Sequence, residues 1–296
     1  MPRFIAIAVL ILFGSACSRT EIAYENADSL LQYYAWKTVR TSSAQRDQWQ
    51  PVLQTTLHHH REQELPLVIA YLDLAVRIIR ETDGSVGAAC LVDGGLFLYQ
   101  RHARLAVELA VPLLVELDPA QLERLAEHTT QRHKDAIKRY QDPDPQRRLE
   151  ARQERITERI EQWTGELNDD QRLYINDALQ NIPDQTAAWL AYRAQKTHTL
   201  LTMLENGVNK QDLGSYLNDW WVHRDGTSTE TREQWRVAMH NFIQLMDRLI
   251  VTLTDRQLNT LETRLATLRA DLGNFISHKS HPVELQLLPA CASSPS

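Results

Sequence analysis

Leu117-Asp118-Pro119-Ala120-Gln121 reads as the start of a helix, and its pattern returns along the chain. Asp118 is an N-cap residue whose carboxylate can accept from a free amide of the first turn. Pro119 takes the first helical position, where its missing N–H costs nothing. Gln121 can reach back to the cap's own amide, and Leu117 can pack as a hydrophobic staple. Ser42-Ser43-Ala44-Gln45, Asn168-Asp169-Asp170-Gln171 and Thr254-Asp255-Arg256-Gln257 repeat the cap-to-Gln spacing, the last two behind Leu167 and Leu253, and Thr227-Ser228-Thr229-Glu230 is a Glu version. Five helix starts, with no strand-type alternation of useful length, predict an all-α fold.

Working outward, apolar residues at three- and four-residue steps predict a first helix within Glu21 to Val39 and a second from Trp49 to His60. Pro66 marks a break or kink before a core segment from Leu67 to Ile79. The glycines between Gly84 and Gly95 predict a loose beginning to a helix whose apolar body runs from Leu96 to Leu117. Between Glu123 and Glu166 the chain is densely charged and split by Asp142-Pro143-Asp144-Pro145. That composition predicts two long solvated helices and separates a helical half, 26–141, from a second, 142–278. Tyr174 to Leu179, Ala187 to Leu204, Leu213 to Trp221, Trp235 to Leu253 and Leu258 to Ile276 read as amphipathic helices, and 279–296 as a disordered tail. The expected architecture is a mainly antiparallel bundle of about nine helices.

The first residues have the layout of an export signal. Arg3 precedes an apolar run from Phe4 to Phe13, then the small residues Gly14, Ser15 and Ala16, then Cys17. The run is about half the roughly 20 residues that a membrane-spanning helix needs, so residues 1–16 read as a cleaved signal peptide. The cysteine after small residues resembles a bacterial lipobox, which implies lipidation of Cys17 and a linker over 17–25. Cleavage leaving a free thiol is the alternative. Several acyl chains, at about 0.8 kcal/mol per buried methylene, would hold the protein on its membrane. Ser18 stands where Asp would resemble an inner-membrane retention signal, which favours the periplasmic face of the outer membrane.

The chain has 296 residues and a net charge of −6, with acids and bases intermixed. No basic face is concentrated enough for nucleic acid. About 280 residues remain after the leader, enough for one large domain or two small ones. Cys90 and Cys291 could form a disulfide in an oxidising compartment; the other reading is a buried Cys90 and a solvated Cys291.

His58-His59-His60-Arg61-Glu62-Gln63-Glu64 is the first place to look for a metal. His58 with Glu62, and His60 with Glu64, stand four residues apart on one helical face, as a zinc-binding pair would. Each pair supplies only two ligands, no third presents itself, and the ordinary reading is a solvated surface with His60 partly buried. His278 and His281 are poorer candidates. No serine occupies a nucleophile elbow, no glycine-rich phosphate loop is present, and Cys90 lacks a setting that would activate its thiol. No catalytic set and no cofactor are expected. In the pairs Tyr33-Tyr34 and Trp220-Trp221, neighbours point about 100° apart, so one of each pair can be core while the other lies at the rim. Tyr33 would suit lipid head groups.

Ala23-Tyr24-Glu25-Asn26-Ala27-Asp28-Ser29-Leu30-Leu31, Gln45-Arg46, His59-His60-Arg61 and Glu64-Leu65-Pro66 resemble a family of proteobacterial lipoproteins defined as a domain of unknown function. The likeness continues through Leu117 to Leu122, Leu167 to Arg172 and Ile182 to Trp189. Where the family usually has Trp before its His-Arg pair, this chain has His59. The resemblance implies a helical lipoprotein and no particular activity. The Leu, cap and Gln spacing also resembles the helix starts of small periplasmic stress chaperones. The leading expectation is a non-enzymatic envelope lipoprotein that is held on the membrane and binds or scaffolds another envelope component, such as a protein partner. A chaperone-like holdase and a metal-dependent enzyme using His58 and His60 are the alternatives.

Overall fold

The computed structural model describes residues 24–80 and 87–276, and is helical nearly throughout. Eleven α-segments follow in order: α1 (Ala27–Val39), α2 (Ser43–His59), α3 (Leu65–Arg80), α4 (Ala88–Leu114), α5 (Pro119–Tyr140), α6 (Pro145–Thr164), α7 (Asp169–Gln180), α8 (Thr186–Glu205), α9 (Lys210–Leu217), α10 (Thr229–Thr252) and α11 (Asp255–Gly273). A π turn at His60–Glu64 fuses α2 to α3, and a second at Asn218–His223 extends α9. The result is ten continuous rods, one more than expected, with no strand among the described residues.

No break occurs at Pro66, where the helix runs on through the first π turn. A proline ring clashes with the carbonyl four residues back, and the wider π turn relieves that crowding; the amide of Leu65 closes it on the carbonyl of His60. The helix expected to begin loosely starts at Ala88 and carries Gly94 and Gly95 inside it, both buried. Its N-terminus has no cap of its own, and Asp247 of α10 supplies one, its Oδ1 accepting from the amide of Ala88 at 2.5 Å. A Cβ on Gly87 would lie 2.6 Å from that oxygen, so any other residue there would make the carboxylate shift.

All four Gln helix starts form reciprocal capping boxes. The Glu version does not: α10 is capped one residue later, by Ser228, whose hydroxyl accepts from the amide of Thr231.

The four glutamines also meet in pairs. Gln45 and Gln121 exchange amide hydrogen bonds, each 2.8 Å, and Gln171 and Gln257 do the same at 3.0 and 2.9 Å. Each spare N–H donates to the carbonyl two residues before its partner's cap: Gln45 to Glu116, Gln121 to Arg40, Gln171 to Thr252 and Gln257 to Glu166. Two clasps of one geometry therefore tie α2 to α5 and α7 to α11. Gln171 and Gln257 are 3% and 6% exposed, and every polar atom of their side chains is satisfied.

One core cluster joins α3 and Leu98 of α4 to Leu265, Leu268 and Leu272 of α11, so it draws on both halves of the chain. A second packs Leu167, Ile175, Leu179 and Ile182 on Ala238, Leu245 and Leu249, and a third packs Val107 and Val111 on Leu200, Leu204, Leu213 and Leu217. Leu72, 1% exposed, contributes about 2–3 kcal/mol by its burial alone. No helix among the described residues is long and apolar enough to cross a membrane. Cys17, Cys291, His278, His281 and the expected tail lie outside the described residues. Cys90 is buried and disulfide-bonded.

Candidate functional site

The histidine-rich stretch forms the π turn, and π turns gather at functional sites. His60 points inward. Its Nδ1 lies 3.0 Å from the hydroxyl of Tyr24, and its Nε2 lies 3.2 Å from Nε2 of His102, whose Nδ1 is 2.7 Å from the carbonyl of Leu98. That carbonyl only accepts, so Nδ1 of His102 carries the proton and its Nε2 accepts. His60 then donates from Nε2, and Nδ1 accepts from the Tyr24 hydroxyl. A neutral His60 fits this chain of bonds. Burial and the neighbouring His102 pull its pKa down to about 4.

Glu64, 2% exposed, receives both arms of the Arg101 guanidinium at 2.6 and 2.7 Å. Although burial alone would raise its pKa, the hydrogen bond and charge of Arg101 bring it below the ordinary carboxylate value. His59 Nε2 stands 3.5 Å from the same carboxylate. Of the four metal candidates, His60 and Glu64 are thus engaged by Tyr24, His102 and Arg101, and His58 lies on the exposed side of α2. Glu62 lies in the π turn. No group of three or more metal-binding side chains occurs among the described residues. Tyr24, Arg101 and His102 completed a cluster that sequence could not assemble, because they come from the N-terminus and from α4.

His60 makes acid stability testable. Its folded pKa is depressed below the ordinary histidine value of 6.5, so the unfolded chain binds the extra proton between 6.5 and about 4. Stability is full above that window and falls on acidification, by about 2 kcal/mol between about pH 7 and about pH 5. Glu64 acts lower, because a depressed carboxyl contributes above its unfolded pKa and fails only as pH falls through its folded one. Urea unfolding at the two pH values is expected to show that loss, and His60→Gln to remove most of it.

The largest chemical opportunity lies elsewhere, in an apolar cavity of about 310 Å³ between α3, α6, α8, α10 and α11. Trp163, Trp189, Trp235, Phe242, Leu249 and Ile160 wall it. Helix α6 explains how a charged sequence builds such a space. Arg152, Arg155, Ile156, Arg159, Ile160 and Trp163 recur at three- and four-residue steps and form one face, which lines the cavity over about 16 Å of helix. The expectation of a wholly solvated helix is corrected: Arg152, Arg155 and Arg159 are half-buried. Their spacing among apolar residues was the signal available, masked by the charges on the opposite face.

Charge in the cavity is unbalanced. Three arginines line it against one carboxylate, Asp184. Asp184 already accepts from the amide and hydroxyl of Thr186 at 3.0 and 2.7 Å. Arg152 donates to the Leu179 carbonyl, while Arg155 lies over the Tyr140 ring at 5.2 Å and Arg159 donates to Gln162 at 3.1 Å. No carboxylate among the described residues forms an ion pair with Arg155 or Arg159. Two buried donors of the lining, Arg152 Nε and Gln185 Nε2, have no acceptor among the described residues.

Searches of curated proteins and of solved structures returned no match. Residues 37–220, which carry the π turn and the arginine face of α6, match a model described as a family of unknown function (DUF6279), and since the match spans more than half of the 296 residues, the chain belongs to that family.

Proposed function

We propose that this protein is a non-enzymatic, lipid-anchored envelope protein that binds a small apolar molecule in the cavity along α6. The cavity carries the reading: its size falls at the lower end of ligand pockets, roughly 300–1,000 Å³, and is about twice an apolar cavity that holds benzene. Its lining has no His, Cys, Ser or Glu among the described residues, which favours holding a molecule over transforming one.

Anchoring rests on the lipobox-like Cys17 and is supported by α1, where Tyr33, Tyr34 and Trp36 are 50%, 58% and 41% exposed. Aromatic rings in such positions suit the head-group layer. The outer membrane's periplasmic face remains the proposed location, and labelled palmitate should enter the protein through Cys17. The helix starts that suggested a holdase have their glutamines engaged with one another inside the fold, which leaves the exposed aromatics of α1 as the feature for that reading.

Binding is tested with a neutral, environment-sensitive naphthylamine dye and the full chain carrying Cys17→Ser, which removes the acyl group. The dye is expected to bind at one site and brighten. Ala188→Phe, placed in the cavity wall, should lower its affinity about tenfold or more. A dye that fails to bind the wild-type chain would overturn the proposal.

A further inference from the structure

We infer that the cavity's ligand is a single-chain amphiphile with an anionic head group, its chain along the tryptophan-walled interior and its head at Arg152, Arg155 and Arg159. This rests on the reading that the cavity binds a ligand, and adds its chemical class.

Three observations converge on it. Apart from its arginines the lining along α6 between Arg152 and Trp163 is apolar, a length of about 16 Å that suits an extended chain. The arginines exceed the acids of the lining by two, and the single acid is committed to the start of α8. Arg152 Nε and Gln185 Nε2 are buried donors without acceptors, a state that is costly unless something accepts from them. Burial also lowers the pKa of Arg152, and the charge of Asp184 offsets that only in part. A carboxylate or a phosphate monoester would accept from these donors and balance the charge, and arginine's planar fork suits both. A neutral chain alcohol would fill the interior and leave the charge as it is, and a cationic amphiphile would be repelled.

Four ligands with one twelve-carbon chain separate these cases: laurate, dodecyl phosphate, dodecanol and dodecyltrimethylammonium, each displacing the neutral dye from the full chain carrying Cys17→Ser. Laurate, dodecyl phosphate or both should displace at least about tenfold better than dodecanol, with the cation weakest. Which anion leads tells a fatty acid from a lipid phosphate, and either supports the inference. The advantage should shrink as salt is raised. The double variant Arg155→Gln/Arg159→Gln should bring the anions to within about threefold of dodecanol, with every displacement referred to the variant's own dye affinity; should that variant misfold, the wild-type ladder and its salt dependence decide alone. Equal displacement by anion and alcohol, with the dye binding normally, would overturn the head-group inference and leave the cavity reading intact. No dye binding would overturn both.

Discussion

Replacing Arg101 with Met is expected to lower the unfolding free energy by about 3–4 kcal/mol. Glu64 is 2% exposed, and without the bidentate guanidinium it would keep only His59 at 3.5 Å. An uncompensated buried carboxylate meets its desolvation cost by taking up a proton, so the Glu64 pKa in the variant should rise above its unfolded value. The sign follows: the deficit should be present at neutral pH and shrink as pH falls through the unfolded carboxyl range. Glu64→Gln should cost less, about 1–2 kcal/mol, because Arg101 keeps 31% of its side chain in solvent and can turn to water. Glu64→Leu with Arg101→Met should recover most of the loss, since replacing both partners leaves no orphaned charge. Urea denaturation followed by circular dichroism reads all three. Equal losses for Arg101→Met at neutral and acidic pH would contradict this account of the pair.

Gln171→Leu is expected to cost about 2–3 kcal/mol. It removes the acceptor for the amide of Asn168 and for one N–H of Gln257, and the donor to the carbonyl of Thr252. The matching change Gln45→Leu should cost about half as much, because Gln45 is only half-buried and water can reach its partners. Since Gln171 and Gln257 satisfy each other, Gln171→Leu with Gln257→Leu should cost clearly less than the sum of the single losses. Strict additivity would mean that the clasp does not couple α7 to α11.

How much was legible depended on the range of the interaction. Helix starts are local, so the boxes at Ser42, Asp118, Asn168 and Thr254 could be read from spacing. The shift at Ser228 was not, because Thr227, Ser228 and Thr229 all have hydroxyls able to cap. That the glutamines of those boxes pair across 76 and 86 residues was beyond any local pattern. Pro66 announces a disturbance, and whether it becomes a break or a π turn depends on the apolar packing that holds α3 against the core. The cluster at the turn was half legible: His60 and Glu64 were singled out, but as partners of each other and not of Tyr24, His102 and Arg101. The cavity is not legible in the sequence because the charge content of α6 hides an inner face that alternates arginine with isoleucine and tryptophan.

The most direct test of the ligand-binding claim is the intact mass of the protein extracted gently from its native membrane, measured before and after denaturation. Lipidation of Cys17 would add mass that survives denaturation. The account predicts a further, near-stoichiometric adduct that is lost on denaturation, matches a single-chain anionic amphiphile and is depleted in Ala188→Phe. The same bare mass in both states, together with no dye binding by the Cys17→Ser chain, would contradict it.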